Sequence, residues 1–585
     1  MFRILAFHRR FLSDTKIRLF DKELKSYFGN ASRNYNSQPS NTFKYTDRDN
    51  VFTSPYDKIE IPSCYLHQVI WKDVDKWRNK TALTCSASGR SYSYNELRGL
   101  CGKFATSLRR NNLGPGDTLA VVLPNIPEYA IIALGASEAG VRVTLLNPAY
   151  TIYEISKHLA ISEASAIITT PQKYPDIMEA LKLKNSVRLP TIVVPNGNEP
   201  IPAGAINFRD LVSNRIEEFD NIGEQTGTDC KNDTFIIPYS SGTSGFPKGV
   251  EITHSNIVAN LLQMGHHGYH LDQEDGSEEQ DVIPVFLPFY HMFGFVVCFL
   301  NYLRRGGHVV CIPQFTIKNL LDVLEKIRTT VLYVVPPVLQ ITVKDERFTK
   351  KHMDYVNSVT SGAAPLGIEI IKQFHAKMGS HIPFSQGYGL TETSPVVARS
   401  KYSSWDSSGF IFVNTDVRIV HINDENVQKN LGVNETGEIF VKGPQVMKGY
   451  YKNPQATADC IDGGWLKTGD LGYVSEKGEL YITGQLKDLI KVKGFQVSPA
   501  ELEDVIISHE KVNDVAVIGV PHDELGAAPK AFIVPKPNIK VTEEEIKNHV
   551  AQRLSKHKHI NQITFIDEIP KNATGKILRK ELYKL

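Results

Sequence analysis

Apolar and polar residues alternate in blocks along the first half of the chain. Short, β-branched apolar runs at 118–123 and 141–146 predict strands, and the apolar block at 128–139 between them predicts a helix. Two more β-branched runs lie at 164–169 and 191–194. Strands that alternate with helices are typical of parallel sheets covered by helices. We therefore predict an α/β fold whose large N-terminal domain is built from αβ-layered sheets.

The pattern changes after about residue 478. A strand is predicted at 479–483, a lysine-rich stretch follows at 487–493, and a compact βαβ-like tail uses runs at 515–520, 530–534 and 542–554. A chain of 585 residues is long enough for two or more domains. We predict an N-terminal extension at 1–50, a large domain at 51–486 and a small, mobile α+β lid domain at 487–585.

The overall charge and the cysteines exclude some classes of protein. Lysine plus arginine (66) nearly balances aspartate plus glutamate (64), so no strong positive field indicates nucleic-acid binding. The seven cysteines are scattered without a CxxC pair. Neither a zinc site nor a disulfide framework is indicated, and a reducing compartment is expected.

The two ends of the chain carry weak targeting signals. Residues 1–13 hold three arginines and several apolar side chains but no acid until residue 14, which suits a mitochondrial presequence. A frayed tail or a short surface helix is the alternative. The last three residues, 583–585 (YKL), are similar to a peroxisomal Ser-Lys-Leu signal but begin with tyrosine. We expect a mitochondrial location, with peroxisomal and cytoplasmic locations as alternatives.

One apolar stretch, 282–303, is long enough to suggest a membrane span. Pro284 and Pro288 near its start, and His291 and Asn301 within it, make a lipid-spanning helix of about 20 residues a poor fit. We therefore predict no transmembrane span.

The most informative segment is 239–249 (YSSGTSGFPKG), between a predicted strand at 234–238 and a predicted helix at 257–264. Its glycines allow positive φ and close approach of the backbone to a ligand, and successive N–H groups can form an anion-binding nest. Hydroxyl side chains and one lysine add donors and a positive charge suited to phosphate. The predicted phosphate-binding residues are Ser240, Ser241, Gly242, Thr243, Ser244 and Lys248.

Two other glycine-rich motifs do not fit this segment. A Walker A loop requires Ser or Thr after Gly-Lys, whereas Lys248 follows Pro247 and precedes Gly249. A nucleophile elbow requires Gly-x-Ser-x-Gly, but Phe246 stands two residues after Ser244. A glycine-rich surface turn remains the alternative for this segment considered by itself.

Four further segments follow this loop along the chain: 385–393 (SQGYGLTET), 464–472 (GWLKTGDLG), 487–497 (KDLIKVKGFQV) and 570–577 (PKNATGKI). Together with 239–249 they resemble the signature motifs of the adenylate-forming superfamily, from about residue 59 to the C-terminus. The segments 361–367 (SGAAPLG) and 493–502 (KGFQVSPAEL) are most similar to the branch of 4-coumarate–CoA ligases, acyl-CoA synthetases and luciferases. This resemblance implies that ATP, Mg²⁺ and coenzyme A act with a small carboxylic acid as the substrate. It leaves the oligomeric state open.

The resemblance implies a role for individual residues in forming an acyl-adenylate. Lys576 corresponds to the catalytic lysine between the acid and the α-phosphate, Thr391 to a donor to that phosphate, and Glu392 to the Mg²⁺ ligand. Asp470 would accept hydrogen bonds from both ribose hydroxyls, because a carboxylate can accept two at once. The residues expected along the adenine and the acyl group are Ala363, Gln386, Gly387 and Tyr388.

The resemblance also implies a second step, in which the lid rotates about Lys487 and the CoA thiolate attacks the adenylate. Lys491, Lys493 and Gly494 correspond to residues that guide CoA or close this second site. His291 corresponds to a residue where the acyl and CoA channels meet; a buried, hydrogen-bonded structural histidine is its alternative.

Three residues depart from the pattern of the family. Gln485 stands where most members carry an arginine that holds the nucleotide, Gln314 where plant ligases often have a CoA-facing lysine, and Arg399 where they have a smaller apolar residue. Because of Gln485 we expect weaker nucleotide contacts. Because of Arg399 we do not assume that coumarate is the substrate. A luciferase-like oxygenase and a nucleotide-binding pseudoenzyme are the alternative functions, while a peptide-synthetase domain is disfavoured because no carrier domain follows.

Overall fold

The computed structural model describes residues 45–46, 49–183, 187–219, 229–240, 247–266, 279–364, 366–379, 382–400, 405–422, 429–492, 495–522, 525–554, 556–572 and 575–585. In this part of the chain the strands form four sheets, of twelve, nine, four and five strands. Three of the sheets precede residue 486, and the fourth follows it. The predicted α/β class, with a large N-terminal domain and a smaller C-terminal one, is confirmed.

The nine-stranded sheet contains the strands expected from the apolar runs. Thr118–Val122 lies between Arg142–Leu145 and Ala166–Thr169 and is parallel to both. All five residues of Thr118–Val122 are buried, as expected for a parallel strand covered on both faces. The remaining strands are Ile192–Val193, Ile206–Asn207, Thr234–Ile237, Tyr239–Ser240, Lys248–Thr253 and Gly449–Tyr450.

The helix Glu128–Ala139 has the bounds that the sequence predicts. Pro127 precedes it, and Gly140 ends it with a φ of 74°, a left-handed conformation that glycine adopts without strain. All twelve of its residues are buried, and it packs mainly on the helix Tyr94–Arg110. The apolar block is therefore a core helix of the large domain.

The region 234–264 differs from the expected strand–loop–helix order. The strand Lys248–Thr253 lies between the glycine-rich segment and the helix His254–Met264, and pairs antiparallel with Thr234–Ile237. It also pairs with Tyr239–Ser240, so that Tyr239 faces Gly249. The glycine-rich segment therefore connects two paired strands. Four of the six residues of Lys248–Thr253 are buried, and only Lys248 and Glu251 are partly exposed. The two charged residues in this short run concealed the strand in the sequence.

The twelve-stranded sheet carries most of the later motifs. Its strands, in spatial order, are Tyr45–Thr46, Val51–Thr53, Asp416–Val420, Gly437–Lys442, Trp465–Val474, Glu479–Gln485, Gly409–Ile411, Val396–Arg399, Phe384–Gly389, Ser358–Ser361 and Val331–Val334, with Ile461–Asp462 paired to Trp465–Val474. The four-stranded sheet consists of Val282–Val285, His308–Cys311, Thr81–Cys85 and Ser91–Ser93.

The order of the elements in the C-terminal sheet differs from the predicted one. Val512–His522 and Gly526–Pro535 form an antiparallel hairpin, because the turn between them is far too short for a parallel crossover. The βαβ unit lies one element later: Gly526–Pro535, the helix Glu543–Ala551 and the strand Gln562–Phe565, which runs parallel to the first. The hairpin Ile490–Val492 and Phe495–Val497 completes this sheet.

The helices cover the faces of these sheets. The other α-helices of the described residues are Leu66–Trp71, Ile152–Ser162, Tyr174–Leu183, Phe208–Leu211, Asn301–Arg304, Ile317–Lys326, Pro336–Lys344, Ile368–Met378, Pro454–Cys460, Pro499–Ile507 and Arg579–Leu582. Short 3₁₀ turns lie at Val74–Lys76, Lys350–Met353, Thr391–Thr393, Leu486–Asp488 and Lys556–Lys558.

The apolar stretch 282–303 folds as a buried part of the large domain. It forms the strand Val282–Val285, the π-helix Phe293–Leu300 and the start of Asn301–Arg304. Within the described ranges, no helix is long and apolar enough to cross a bilayer.

Candidate active site

A cleft of about 1190 Å³ separates the large sheets from the C-terminal sheet. Its walls include the end of the strand Phe384–Gly389, the turn Thr391–Thr393 and the strand Trp465–Val474. Twelve of the residues predicted from the motifs line it together: Ser240, Lys248, His291, Ala363, Gln386, Gly387, Tyr388, Thr391, Glu392, Asp470, Lys487 and Lys576. Segments up to 336 residues apart in sequence thus meet at one place.

The remaining predicted residues lie elsewhere or outside the described part of the chain. Ser241, Gly242, Thr243, Ser244, Lys493 and Gly494 are outside the described residues. Lys491 belongs to the strand Ile490–Val492 of the C-terminal sheet. Gln314 is exposed, and its carbonyl oxygen accepts a hydrogen bond from the Asn319 amide at 2.9 Å.

Asp470 is held at the cleft by two side-chain donors. The Tyr388 hydroxyl donates to Oδ2 at 2.8 Å, and the Gln485 amide donates to Oδ1 at 2.6 Å. The second contact follows from strand register, since Asp470 faces Gln485 across the pair Trp465–Val474 and Glu479–Gln485. Burial raises the pKa of Asp470, while both hydrogen bonds oppose that shift. Each oxygen can still accept another donor, so the carboxylate is fixed and remains able to bind a ligand.

Glu392 has a partner that the motifs did not indicate. The Tyr450 hydroxyl donates to Glu392 Oε1 at 2.9 Å, and the Lys248 ammonium lies 4.8 Å from the centre of the Tyr450 ring. Tyr450 reaches this position because Gly449–Tyr450 pairs with Lys248–Thr253 in the nine-stranded sheet. Burial and the Glu392 charge raise the pKa of Tyr450, which therefore stays protonated as a donor. Sequence inspection gave no signal for this long-range pairing.

Lys576 is presented by a tight turn of the C-terminal domain. The Asn572 and Gly575 amides close the turn, and the Lys576 amide donates to Asn572 Oδ1 at 2.8 Å. Gly575 has a φ of 83°, and a Cβ there would lie 2.5 Å from the ring of Pro337 in the large domain. The turn is therefore packed directly against the large domain at the cleft.

Charges around Lys576 confirm how close it lies to the other motifs. Burial lowers its pKa, Lys487 lowers it further, and Asp470 raises it. Just beyond the turn, the Arg579 guanidinium contacts Glu503 at 2.8 Å and Asp488 at 3.4 Å. Arg579 thereby connects the segment that carries Lys576 to the turn that carries Lys487.

His291 is a neutral group beside this lysine. Burial, followed by the positive charge of Lys576, lowers the pKa of His291 to about 4. Its Nδ1 accepts a hydrogen bond from the Phe293 amide at 3.3 Å, so Nε2 carries the proton of the neutral ring. At neutral pH the imidazole can donate or pack but carries no charge.

Two observations test whether the cleft suits a nucleoside triphosphate with Mg²⁺. The Ser240 hydroxyl is buried at the cleft beside the Tyr450 hydroxyl and makes no hydrogen bond of good geometry among the described residues, so it is a donor that a phosphate oxygen would satisfy. No cluster of three or more His, Cys, Asp or Glu side chains in the described ranges forms a metal cage. Glu392 would be a single carboxylate ligand, and Mg²⁺ is commonly bound by one carboxylate together with substrate phosphates and water. The residues present fit both groups.

The loop after strand Ser358–Ser361 carries local backbone strain. Ala363 has a φ of 70°, a region that residues with a side chain seldom occupy. It lines the cleft beside Gly362, where a Cβ would lie 3.1 Å from the Phe293 ring. Strain of this kind is typical of ligand-binding loops that the surrounding structure holds in place.

Known proteins match this chain over most of its length. The model of the family described as "AMP-binding enzyme" matches residues 70–451, and that of the "AMP-binding enzyme C-terminal domain" matches residues 501–576. 4-Coumarate–CoA ligase 1 of Arabidopsis thaliana is 34% identical over 91% of this chain and 95% of its own. Probable 4-coumarate–CoA ligase 1 of Dictyostelium discoideum is 35% identical over 91% and 97%. The crystal structure of ATP-bound MatB from Rhodopseudomonas palustris superposes with a TM-score of 0.79 at 28% identity, covering 89% and 99%.

Proposed function

Because the chain belongs to the AMP-binding enzyme family, we propose that it is an AMP-forming carboxylic acid–CoA ligase, as its 4-coumarate–CoA ligase relatives are named. The observation that carries the proposal is the position of Lys576. This lysine of the C-terminal domain lines the same cleft as Asp470 and His291 of the large domain, close enough for their charges to interact. The cleft would thus bring together a cation from the C-terminal domain, a site for a nucleotide and space for an acid.

In the first step an oxygen of the acid attacks the α-phosphorus of ATP, and the bond to the bridging oxygen of pyrophosphate breaks. Negative charge grows on the phosphoryl oxygens and requires fixed donors and cations. Lys576 would contact both the acid and the α-phosphate, and Thr391 would donate to that phosphate. Glu392 would hold Mg²⁺, which supplies positive charge at the phosphates when bound. Lys248, Ser240 and the glycine-rich segment would bind the β- and γ-phosphates.

The nucleoside would be bound by the group around Asp470. The two carboxylate oxygens of Asp470 are already oriented by Tyr388 and Gln485. No rearrangement is therefore needed before the ribose hydroxyls donate to these oxygens. The Tyr388 ring would lie against the adenine, with Ala363, Gln386 and Gly387 along the base and the start of the acyl site. This arrangement would position ATP relative to Lys576.

In the second step the CoA thiolate attacks the acyl carbon, and the bond to AMP breaks. Lys576 is not needed for this attack, so the C-terminal domain can turn about Lys487 and present Lys491, Lys493 and Gly494. His291 would lie where the acyl group and the CoA thiol meet. Because its ring is neutral, it would act there by packing and hydrogen bonding and would add no charge.

A screen of acids tests the proposed function. Pyrophosphate release is measured with ATP, Mg²⁺ and short, medium, long and aromatic acids, each with and without CoA. At least one acid should release pyrophosphate, and CoA should raise the steady-state rate because it removes the bound adenylate. Release of ADP, or no acid-dependent pyrophosphate, would contradict the ligase. Light emission with a luciferin would favour the oxygenase alternative, and ATP binding without turnover would favour the pseudoenzyme.

Gln485→Arg is expected to lower the KM for ATP. The amide already donates to Asp470 at 2.6 Å, and an arginine there would add a charge-assisted contact to the ribose or phosphate. Such a bond contributes roughly 1.5–3 kcal/mol, and partial exposure reduces it, so about a five- to thirtyfold decrease is expected. Initial rates against ATP concentration, with one accepted acid, measure the change.

Gln485→Leu is the matched variant, because it removes the donor to Asp470 without adding charge. Its KM for ATP should rise. An unchanged KM in both variants, with full wild-type turnover, would show that residue 485 does not affect nucleotide binding.

We further propose that the segment before the first strand directs the protein to mitochondria. Tyr45–Thr46 pairs with Val51–Thr53, and the Asn430 amide donates to the Asp49 carbonyl, so removal should stop at residue 44. A chain that lacks residues 1–44 is expected to keep its ligase activity and to lose the mitochondrial location, measured by imaging a C-terminal fluorescent fusion. An unchanged location would contradict the presequence.

A further inference from the structure

Tyr450 lies at the cleft with its backbone held on both sides. Its strand, Gly449–Tyr450, pairs with Lys248–Thr253, and its carbonyl oxygen accepts a hydrogen bond from the Asn453 amide at 3.0 Å. Its own amide donates to Thr457 Oγ1 at 2.9 Å, and the residue lines the cleft. The large domain therefore sets the position of this phenol.

The side chain of Tyr450 connects the residue proposed for the phosphates with the one proposed for the metal ion. The Lys248 ammonium lies 4.8 Å from the centre of its ring, and its hydroxyl donates to Glu392 Oε1 at 2.9 Å. An aromatic face attracts a nearby ammonium group, and a hydrogen bond from a hydroxyl to a carboxylate is short and directional. One phenol thus orients both charged side chains.

The two oxygens of the Glu392 carboxylate are not equivalent. Oε1 accepts the Tyr450 hydroxyl, whereas Oε2 accepts no hydrogen bond from the described residues. Glu392 is only 9% exposed, and its carbonyl oxygen accepts from the Met447 amide at 2.8 Å, which holds the turn Thr391–Thr393 in place. Because a hydrogen bond polarises the oxygen that accepts it, Oε2 is the better metal ligand of the two.

Divalent cations differ in how they use a carboxylate. Mg²⁺ requires a near-octahedral set of oxygens at short distances, and it usually takes few carboxylates and keeps several waters. Ca²⁺ accepts a larger and less regular set of oxygens, and it binds a carboxylate through one oxygen or through both. A carboxylate with one oxygen already engaged by a fixed phenol therefore suits Mg²⁺ better than Ca²⁺.

We propose that Tyr450 is a positioning residue that makes Glu392 bind its cation through Oε2 alone and thereby selects Mg²⁺ over Ca²⁺. In this role Tyr450 acts through Glu392 and not on the reacting groups. The inference rests on the proposed function, because the cation is the one that accompanies ATP in this cleft. It assigns the metal selectivity of the site to a residue outside the sequence motifs.

Tyr450→Phe tests this role, because it removes the hydroxyl and keeps the ring beside Lys248. Titration calorimetry compares the affinities for the Mg²⁺ and Ca²⁺ complexes of α,β-methylene-ATP, with the cation in excess and without turnover. The wild-type protein should bind the Mg²⁺ complex more tightly. Tyr450→Phe should lower this preference by about tenfold, the usual effect of losing a hydrogen-bond partner of a metal ligand.

Two results would overturn the proposal. The first is equal affinity of the wild-type protein for the two complexes, which needs no variant. The second is an unchanged preference in folded Tyr450→Phe.

Two further variants separate the hydroxyl from the ring. Tyr451→Phe is the matched control and should keep the wild-type preference, because Tyr451 packs on Arg142, 5.4 Å from its ring centre, and is not among the described residues that line the cleft. Tyr450→Leu also removes the ring beside Lys248, so it should weaken binding of both complexes in addition to lowering the preference. A preference lowered by Tyr450→Leu but not by Tyr450→Phe would assign the effect to the ring and overturn the role of the hydroxyl.

The same measurements separate this inference from the proposed function. A preference for Mg²⁺ that falls in Tyr450→Phe, without acid-dependent release of pyrophosphate by the wild-type protein, would support the inference and contradict the ligase. Release of pyrophosphate by the wild-type protein, with an unchanged preference in Tyr450→Phe, would support the ligase and overturn the inference.

Discussion

Lys576→Ala is expected to reduce acyl-adenylate formation by about 10²–10³-fold, a cost of roughly 3–4 kcal/mol, while ATP still binds. Lys576 lines the cleft beside Asp470 and His291, and its turn packs on Pro337. The lost cation would act mainly in the transition state, where charge develops on the α-phosphate. Single-turnover release of pyrophosphate measures the first step, and calorimetry with α,β-methylene-ATP measures binding.

The same variant separates the two steps of the reaction. When synthetic acyl-adenylate and CoA are supplied, Lys576→Ala should form the thioester at close to the wild-type rate, because this lysine has no role in that step. Lys580→Ala is the control, since Lys580 is exposed on the helix Arg579–Leu582. Pyrophosphate release by Lys576→Ala at the rate of this control would contradict the catalytic assignment.

Asp470→Ala is expected to raise the KM for ATP by about 10²-fold, because hydrogen bonds to a charged group contribute roughly 1.5–3 kcal/mol each. The substitution removes the proposed acceptor of both ribose hydroxyls. It also leaves Tyr388 and Gln485 without the carboxylate that they now share. Initial rates with varied ATP measure the effect, and kcat should change much less than KM.

The comparison with deoxy-ATP shows whether the ribose is the group concerned. Wild-type enzyme should lose affinity for 2′-deoxy-ATP, whereas Asp470→Ala should bind ATP and 2′-deoxy-ATP equally. Asp459→Asn is the control, because Asp459 also lines the cleft but is paired with Gln455 at 2.7 Å. If both aspartate variants raised KM alike, a general charge effect would explain the result and the ribose contact would be wrong.

The sequence was sufficient for the parts of the fold that local signals determine. The helix Glu128–Ala139 could be predicted to the residue, because Pro127 and Gly140 mark its ends. Short apolar runs identified the parallel strands, such as Thr118–Val122. The predicted order of strands and helix in the C-terminal segment was wrong in detail. The direction of Val512–His522 relative to Gly526–Pro535 depends on the length of the turn between them.

Most of the residues that the motifs predicted meet at the cleft, but the motifs did not show the contacts between them. Tyr450 reaches Glu392, and Gln485 reaches Asp470, through strand register set by residues far away in sequence. The sequence shows Gln485 as the replacement of an arginine, whereas the structure also shows that its amide donates to and orients the Asp470 carboxylate. Such pairings depend on tertiary packing and have no local signature.

Product analysis tests the central claim most directly. Wild-type enzyme is incubated with ATP, Mg²⁺, CoA and the best acid from the screen, and all products are quantified by chromatography and mass spectrometry. We expect equal amounts of AMP, pyrophosphate and acyl-CoA, with no consumption of oxygen. ADP and phosphate in place of AMP and pyrophosphate, or adenylate consumed without an acyl-CoA thioester, would contradict it.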